Sequence, residues 1–128
     1  MHGPVRGRAE ETWPRFLEEY QAENSAQVYR PDGLVDMALS PTPRFELLKL
    51  DRYTTTTIET SRGCPYSCEF CEIPERLGKK SRAKSAEQVM TEVRKLAALG
   101  ADSLFFIDDY FVGNPKRTKA LLKELIAY

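Results

Sequence analysis

An α/β fold with parallel strands is what this sequence predicts, on three observations. A β-branched run over residues 53–60 ends in Ile58-Glu59-Thr60 and has the composition of a strand. The apolar run Ser103-Leu104-Phe105-Phe106-Ile107 is too short for an ordinary helix and suits a strand buried on both faces. A stretch of helical periodicity follows each of them. Strand, helix, strand, helix in that order calls for parallel strands joined by right-handed crossovers.

Ahead of the first strand the chain reads as a loop, a helix and a linker. Residues 1–8 carry Gly3, Pro4 and Gly7 and read as a loop or a cut end. Trp13, Phe16, Leu17 and Tyr20 then recur at i, i+3, i+4 and i+7, one face of a helix. Pro14 is tolerated in a first turn, which sets the helix start near Glu11 or Thr12. The acidic pair Glu10-Glu11 suits a helix N-terminus. From Gln21 to Arg52 no periodicity is sustained, and Pro31, Pro41 and Pro43 bar regular helix nearby. The segment reads as an extended linker with a turn at Pro31-Asp32-Gly33. Phe45, Leu47, Leu48 and Leu50 are the residues placed to pin it to a neighbouring core.

The strand over 53–60 runs directly into a loop. Its hydroxyls fit a polar interior, and a solvent-facing edge strand explains them nearly as well. After the loop come Glu72-Ile73-Pro74 and a basic run, Lys79-Lys80-Ser81-Arg82-Ala83-Lys84. Charge runs are usually solvated surface; the alternative is an anion clamp led by Arg82. Ser85-x-x-Gln88 is a capping box that opens the next helix. Val89, Val93, Leu96 and Ala97 form its apolar stripe, and Gly100 closes it. The 103–107 strand ends in Asp108-Asp109, whose side chains should point to opposite sides if the strand continues through them. Asn114 as N-cap and Pro115 at the first helical position start the last helix. Leu121, Leu122, Leu125 and Ile126 give that helix its apolar stripe, with Lys116, Arg117, Lys119 and Lys123 on the solvated side.

The chemistry concentrates in the loop after the first strand. All three cysteines of the chain lie there, as Cys64-x3-Cys68-x2-Cys71. Thiolates at such short spacing wrap an iron–sulfur cluster from one loop. Three ligands for a four-iron cube leave one iron open, which suits binding a substrate at the metal. A structural zinc site wants four ligands, and the one histidine, His2, lies far upstream. An odd number of cysteines in one loop, without a secretory signal, argues against disulfides.

Cys64-x3-Cys68-x2-Cys71, with aromatic Phe70 before the third cysteine, resembles the signature of the radical S-adenosylmethionine (SAM) enzymes. The wording Thr60-Ser61-Arg62-Gly63-Cys64-Pro65, with Asp108-Asp109 after an apolar strand, is similar to the subgroup that carries an N-terminal cobalamin-binding domain. The resemblance implies the first two βα units of a partial (β/α)6 TIM-like barrel, preceded by a helix and an extended linker. It implies a 4Fe-4S cluster on Cys64, Cys68 and Cys71, and reductive cleavage of SAM to a 5′-deoxyadenosyl radical, with cobalamin-dependent methyl transfer as one outcome. Phe70 would shape the adenine pocket, Asp108 or Asp109 would hold the methionine amine, and Arg82 is the candidate for the carboxylate. Residues 1–23 would be the C-terminal helix of a truncated cobalamin-binding-like domain, 24–52 a linker, and 53–128 the N-terminal part of the radical SAM core. On this reading the chain is an incomplete, inactive piece of an enzyme. A second reading, from another class, is a non-catalytic iron–sulfur electron-transfer or metal-binding module.

The remaining bounds are broad. With 128 residues there is material for one modest core. Nineteen basic and nineteen acidic residues cancel, so a broad electrostatic surface for nucleic acid is not indicated. No uninterrupted apolar span approaches the ~18 residues of a transmembrane helix. A cluster and free thiols fit a reducing cytoplasm. The expected partners are a small-molecule substrate and an electron donor such as a flavodoxin or ferredoxin.

Overall fold

The computed structural model describes residues 9–128. The loop expected over residues 1–8, with His2, lies outside the described residues. The chain divides into two compact units, with the boundary between Pro41 and Thr42.

The first unit contains helix α1 (Ala9–Gln21). It starts earlier than Pro14 suggested, and Pro14 lies inside it. A proline there removes one i→i−4 hydrogen bond near the N-terminus, where few such bonds exist to lose. The Trp13–Phe16–Tyr20 stripe is not a buried face. Trp13 and Tyr20 stay about half exposed, and the rings instead stack along the helix, with centroids 5.2 Å and 5.6 Å apart. Phe16 meets Tyr29 edge-on at 5.5 Å. Tyr29 is buried and donates its phenol proton to Glu19 at 2.6 Å. That bond and the Arg15 guanidinium hold the Glu19 carboxyl below the usual range. The bend at Pro31-Asp32-Gly33 forms with no positive φ at Gly33.

The linker is less extended than expected. Three single 3-10 turns punctuate it, Met37–Leu39, Phe45–Leu47 and Leu50–Arg52. Asp36 caps the first by accepting from the Ala38 N–H. Of the four apolar residues placed to pin the linker, only Phe45 is buried; Leu47 and Leu48 are exposed and Leu50 is partly so.

The second unit holds a parallel pair and the elements packed on it. Strand β1 (Thr56–Ile58) pairs in parallel with β4 (Leu104–Phe106), Ile58 opposite Phe106. Between them in sequence, β2 (Ser61–Arg62) and β3 (Arg82–Ala83) form a short antiparallel pair. This pair was not foreseen, and it turns the end of the basic run into a strand. A five-residue helix, α2 (Ile73–Leu77), also occupies what read as plain loop, with Pro74 in its first turn.

Helix α3 (Ala86–Ala98) forms the crossover, and both halves of the Ser85/Gln88 capping box are made. Gly100 follows at φ 92°, a left-handed position glycine takes without strain. Val89, Met90, Val93 and Leu96 bury against Ile58, Phe45 and Leu121 of α4 (Pro115–Ala127). Each such side chain withdrawn from water contributes about 1.5–3 kcal/mol before entropy is counted.

Three expected core positions differ. Ala97 is exposed, and so are Leu122 and Ile126. Phe105 and Ile107 of the second strand are more than half and half exposed, because among the described residues β1 and β4 form a sheet of two strands. Among the described residues, no helix is long and apolar enough to cross a membrane.

Candidate functional site

Parallel pairing decides where the chemistry meets. Because β1 and β4 run the same way, the segments leaving their C-terminal ends emerge side by side. One carries the cysteines and the other carries Asp108-Asp109. The ladder continues to Ile107, whose N–H donates to the Ile58 carbonyl at 3.1 Å. Asp108 therefore begins where the strand ends.

Both carboxylates then turn toward the first loop rather than to opposite sides. Asp108 accepts from the Thr60 N–H at 2.6 Å, from Ser61 Oγ at 2.7 Å, and from Thr60 Oγ1. Asp109 accepts from the Gly63 N–H at 2.9 Å. The pair thus ties down four donors on the residues entering the cysteine loop. Charge-assisted bonds of this kind are stronger than neutral ones.

Gly63 can take this place because it has no side chain. Its φ is 93°, and a Cβ would stand 2.6 Å from the Lys80 carbonyl oxygen and 2.8 Å from that of Gly78. Just beyond, the Cys64 N–H donates to the same Gly78 oxygen at 3.2 Å. The loop is therefore gripped at its root from both sides, by the carboxylates that follow β4 and by the turn after α2.

The three thiols are free, Cys64 and Cys71 partly buried and Cys68 exposed. Cys71 N–H bonds the Cys68 carbonyl at 3.1 Å, which turns the loop between them. Among the described residues no three His, Cys, Asp or Glu side chains converge tightly enough to hold a metal ion. The expected convergence of Cys64, Cys68 and Cys71 is thus not made by the protein chain alone. The donor set itself, three unpaired thiols on one anchored loop, fits an iron–sulfur cluster. Phe70 is 93% exposed and available to a ligand.

Tyr66, within the cysteine motif, meets Tyr110 of the other loop. Their phenol oxygens are 3.3 Å apart and their rings sit edge to face at 5.3 Å. The bond to Tyr66, the nearness of that second phenol, burial and then the nearness of Cys64 push the Tyr110 phenol above its ordinary pKa.

Arg82 pairs its backbone with Arg62 in the β2–β3 ladder and donates through Nη2 to the Leu77 carbonyl at 2.6 Å. Its guanidinium thus helps close the α2 turn. Lys84, read as part of a solvated run, is buried and makes a 2.6 Å ion pair with Glu92 of α3. Burial pushes the Glu92 carboxyl above its usual value, and Lys84 offsets only part of that.

Arg117 was placed on the solvated side of the last helix. Instead it reaches back to the strand ends, donating to the Thr60 carbonyl at 2.8 Å and the Lys84 carbonyl at 3.3 Å. Burial lowers its pKa and the Asp108 charge raises it, the first effect being larger. Its position offered one signal, since the first turn of a helix after a strand lies beside the loops. Tyr66, Tyr110 and Gly63 offered none beyond their neighbours. At the opposite end of the strand pair, an open cavity of about 300 Å³ is lined by Thr54, Thr55, Thr56, Asp102 and Ser103.

An α/β unit with three cysteines and two strand-end carboxylates at one end defines a class of metal-cofactor protein. The chain belongs to the radical SAM superfamily, whose family model matches residues 58–128. It is 41% identical to an uncharacterized methyltransferase of Synechocystis sp., over 94% of this chain and 23% of that protein. It is 39% identical to the hopanoid C-2 methylase of Rhodopseudomonas palustris, over 79% of this chain and 19% of that protein. Among solved structures it resembles TsrM of Kitasatospora setae, a radical S-adenosylmethionine methyltransferase with cobalamin and a 4Fe-4S cluster bound. That match has a TM-score of 0.54 and 29% identity, covering 57% of this chain and 13% of that one. The chain spans about a fifth of the length of these two curated relatives.

Proposed function

We propose that this chain is the cluster-binding part of a radical SAM methyltransferase of the cobalamin-dependent kind. One observation carries the reading. The cysteine loop and Asp108-Asp109 leave the same end of a parallel strand pair and are bonded to each other through Gly63 and Asp109. Similarity to a methylase and to a cobalamin-bound methyltransferase supports the reaction class.

In this reading Cys64, Cys68 and Cys71 hold a 4Fe-4S cluster, and the strands are the first two of a partial (β/α)6 barrel. Bound there, the cluster supplies the electron that cleaves SAM to a 5′-deoxyadenosyl radical or supports methyl transfer through cobalamin. Phe70 offers an exposed ring for the adenine. Asp109, which among the described residues accepts only from Gly63, is better placed than Asp108 to accept from the methionine ammonium. Asp108 and Arg117 keep the loop root in position, and Arg82 braces the turn that Cys64 leans on. Residues 1–23 are assigned to the end of a cobalamin-binding-like domain and 24–52 to the linker. Substrate, electron donor (a flavodoxin or ferredoxin) and a reducing cytoplasmic setting follow from the same assignment.

The test is anaerobic reconstitution with iron and sulfide. About four irons per chain are expected, with loss of the cluster in Cys64→Ala, Cys68→Ala and Cys71→Ala. SAM should then change the cluster's electron paramagnetic resonance spectrum. A spectrum indifferent to SAM would favour the electron-transfer module, and stoichiometric zinc without iron would remove the cluster altogether.

A further inference from the structure

We propose that Tyr66 and Tyr110 are positioning residues, forming a latch that holds the tip of the cysteine loop against the loop after β4. The inference rests on the cluster assignment above and goes beyond it, to two tyrosines that are not cluster ligands.

The root of the loop is fixed by Gly63 and Cys64, as described. Beyond Cys64 its side chains are largely open to solvent: Tyr66 is 56% exposed, and Ser67, Cys68 and Glu69 are exposed too. A loop gripped only at its root would leave Cys68 and Cys71 free to wander. Among the described residues, the Tyr66–Tyr110 contact links this stretch to another element through side chains, by a phenol–phenol bond at 3.3 Å and an edge-to-face ring contact at 5.3 Å. Ring contact of this geometry and a hydrogen bond act together over a polar–apolar boundary.

Tyr110 is built to serve as the fixed half. Its carbonyl accepts from the Gly113 N–H at 3.0 Å, closing a tight turn. A Cβ at position 113 would stand 3.0 Å from the Tyr110 ring and 3.1 Å from its carbonyl oxygen. Gly113 therefore lets the turn close behind the ring and hold it. Tyr110 also directly follows Asp109, so carboxylate tether and aromatic latch come from adjacent residues and act on successive parts of one loop.

The geometry predicts a ligand loop whose order depends on Tyr66 and Tyr110 together. The experiment compares wild type with Tyr66→Phe, Tyr110→Phe, Tyr110→Leu, the Tyr66→Phe/Tyr110→Phe double variant and Gly113→Ala. Two quantities are read: alkylation of the partly buried Cys71 in the metal-free chain, and release of iron from the reconstituted chain to a chelator. Each Phe variant should speed both by about fivefold, the factor one exposed hydrogen bond supplies. Tyr110→Leu, which also loses the ring, should exceed that. The double Phe variant should match the single ones, because they break the same bond. Gly113→Ala should mimic Tyr110→Phe without altering a phenol. Rates within twofold of wild type in all variants would overturn the latch. So would a parallel fall in thermal midpoint, since the thiols would then be exposed by global unfolding. If wild type binds no iron while the alkylation differences persist, the cluster assignment fails and the latch stands.

Discussion

At Gly63 the backbone carries a conformation and a proximity that no other residue tolerates. Gly100 shares the conformation, at φ 92° against 93°, but a Cβ there would meet nothing within 4 Å. The two glycines therefore separate strain from clash. Gly100→Ala is expected to cost about 1 kcal/mol, whereas Gly63→Ala, which must also displace the carbonyls of Lys80 and Gly78, should cost at least ~3 kcal/mol. Urea unfolding of both variants measures the difference, and equal costs would mean the loop root yields easily. The carboxylates divide in the same way. Asp108 accepts from three donors on Thr60 and Ser61 and faces Arg117. Asp108→Asn should lose ~2 kcal/mol by weakening charge-assisted bonds and leaving the guanidinium poorly balanced. Asp109→Asn keeps an oxygen for Gly63 and should lose less than ~1 kcal/mol. A reversed order would point to Asp109 as the main tether.

Helix α3 draws its stability from its two faces in different ways. Its N-terminus is closed by the Ser85/Gln88 box, and Ser85→Ala should cost about 1 kcal/mol. Its buried face contains Glu92 beside Lys84, both side chains under 5% exposed. Removing one partner leaves a buried charge alone. Lys84→Met is thus expected to cost ~3–5 kcal/mol, while Lys84→Met with Glu92→Leu should recover most of it. The pair also sets a pH dependence. Burial raises the Glu92 pKa in the folded state above its usual 4.5. The native state therefore holds the proton more tightly, and this contribution is fullest below about pH 4.5. It declines as pH rises through the folded value. In Glu92→Gln that slope should be absent, which unfolding curves at a series of pH values would show. A difference of the opposite sign between wild type and Glu92→Gln would mean that attraction to Lys84 outweighs burial.

Across the whole molecule, apolar side chains are left open in the second unit. Phe105, Ile107, Val112 and Ile126 are each at least half exposed, and β4 pairs only with β1 among the described residues. An apolar strand edge of this kind templates association. Light scattering should show concentration-dependent self-association, reduced by Phe105→Lys without loss of thermal stability, because Phe105 lies outside the core. The same surface shows what was legible in the sequence. Strand–helix alternation, the Ser85 and Asn114 caps and the cysteine loop were readable because each is encoded within a few residues. The inward-facing half of each apolar stripe was not, since Leu121 and Leu122 differ only in what stands opposite them. Arg117 was misread for a related reason: its acceptors lie 57 and 33 positions away. Long-range partners of that sort leave no local periodicity. The buried Lys84 was hidden in the same way, by neighbours in sequence that are solvated while it is not.

The tether between Gly63 and Asp109 spans 46 positions, and it has a consequence in time. A ribosome adding about 5–20 residues per second releases the cysteines several seconds before it has made the carboxylate that anchors them. During that interval the thiols belong to an unanchored strand, open to any oxidant or stray metal. Loop closure afterwards is fast by comparison, since a chain this long meets its own ends in far less than a second. Vulnerability of the cysteines is thus a matter of translation speed rather than of folding speed. Released chains truncated before Asp108 should have all three thiols alkylated at the rate of a free peptide. Chains extended past Leu121, with the core residue of α4 in place, should have Cys64 protected.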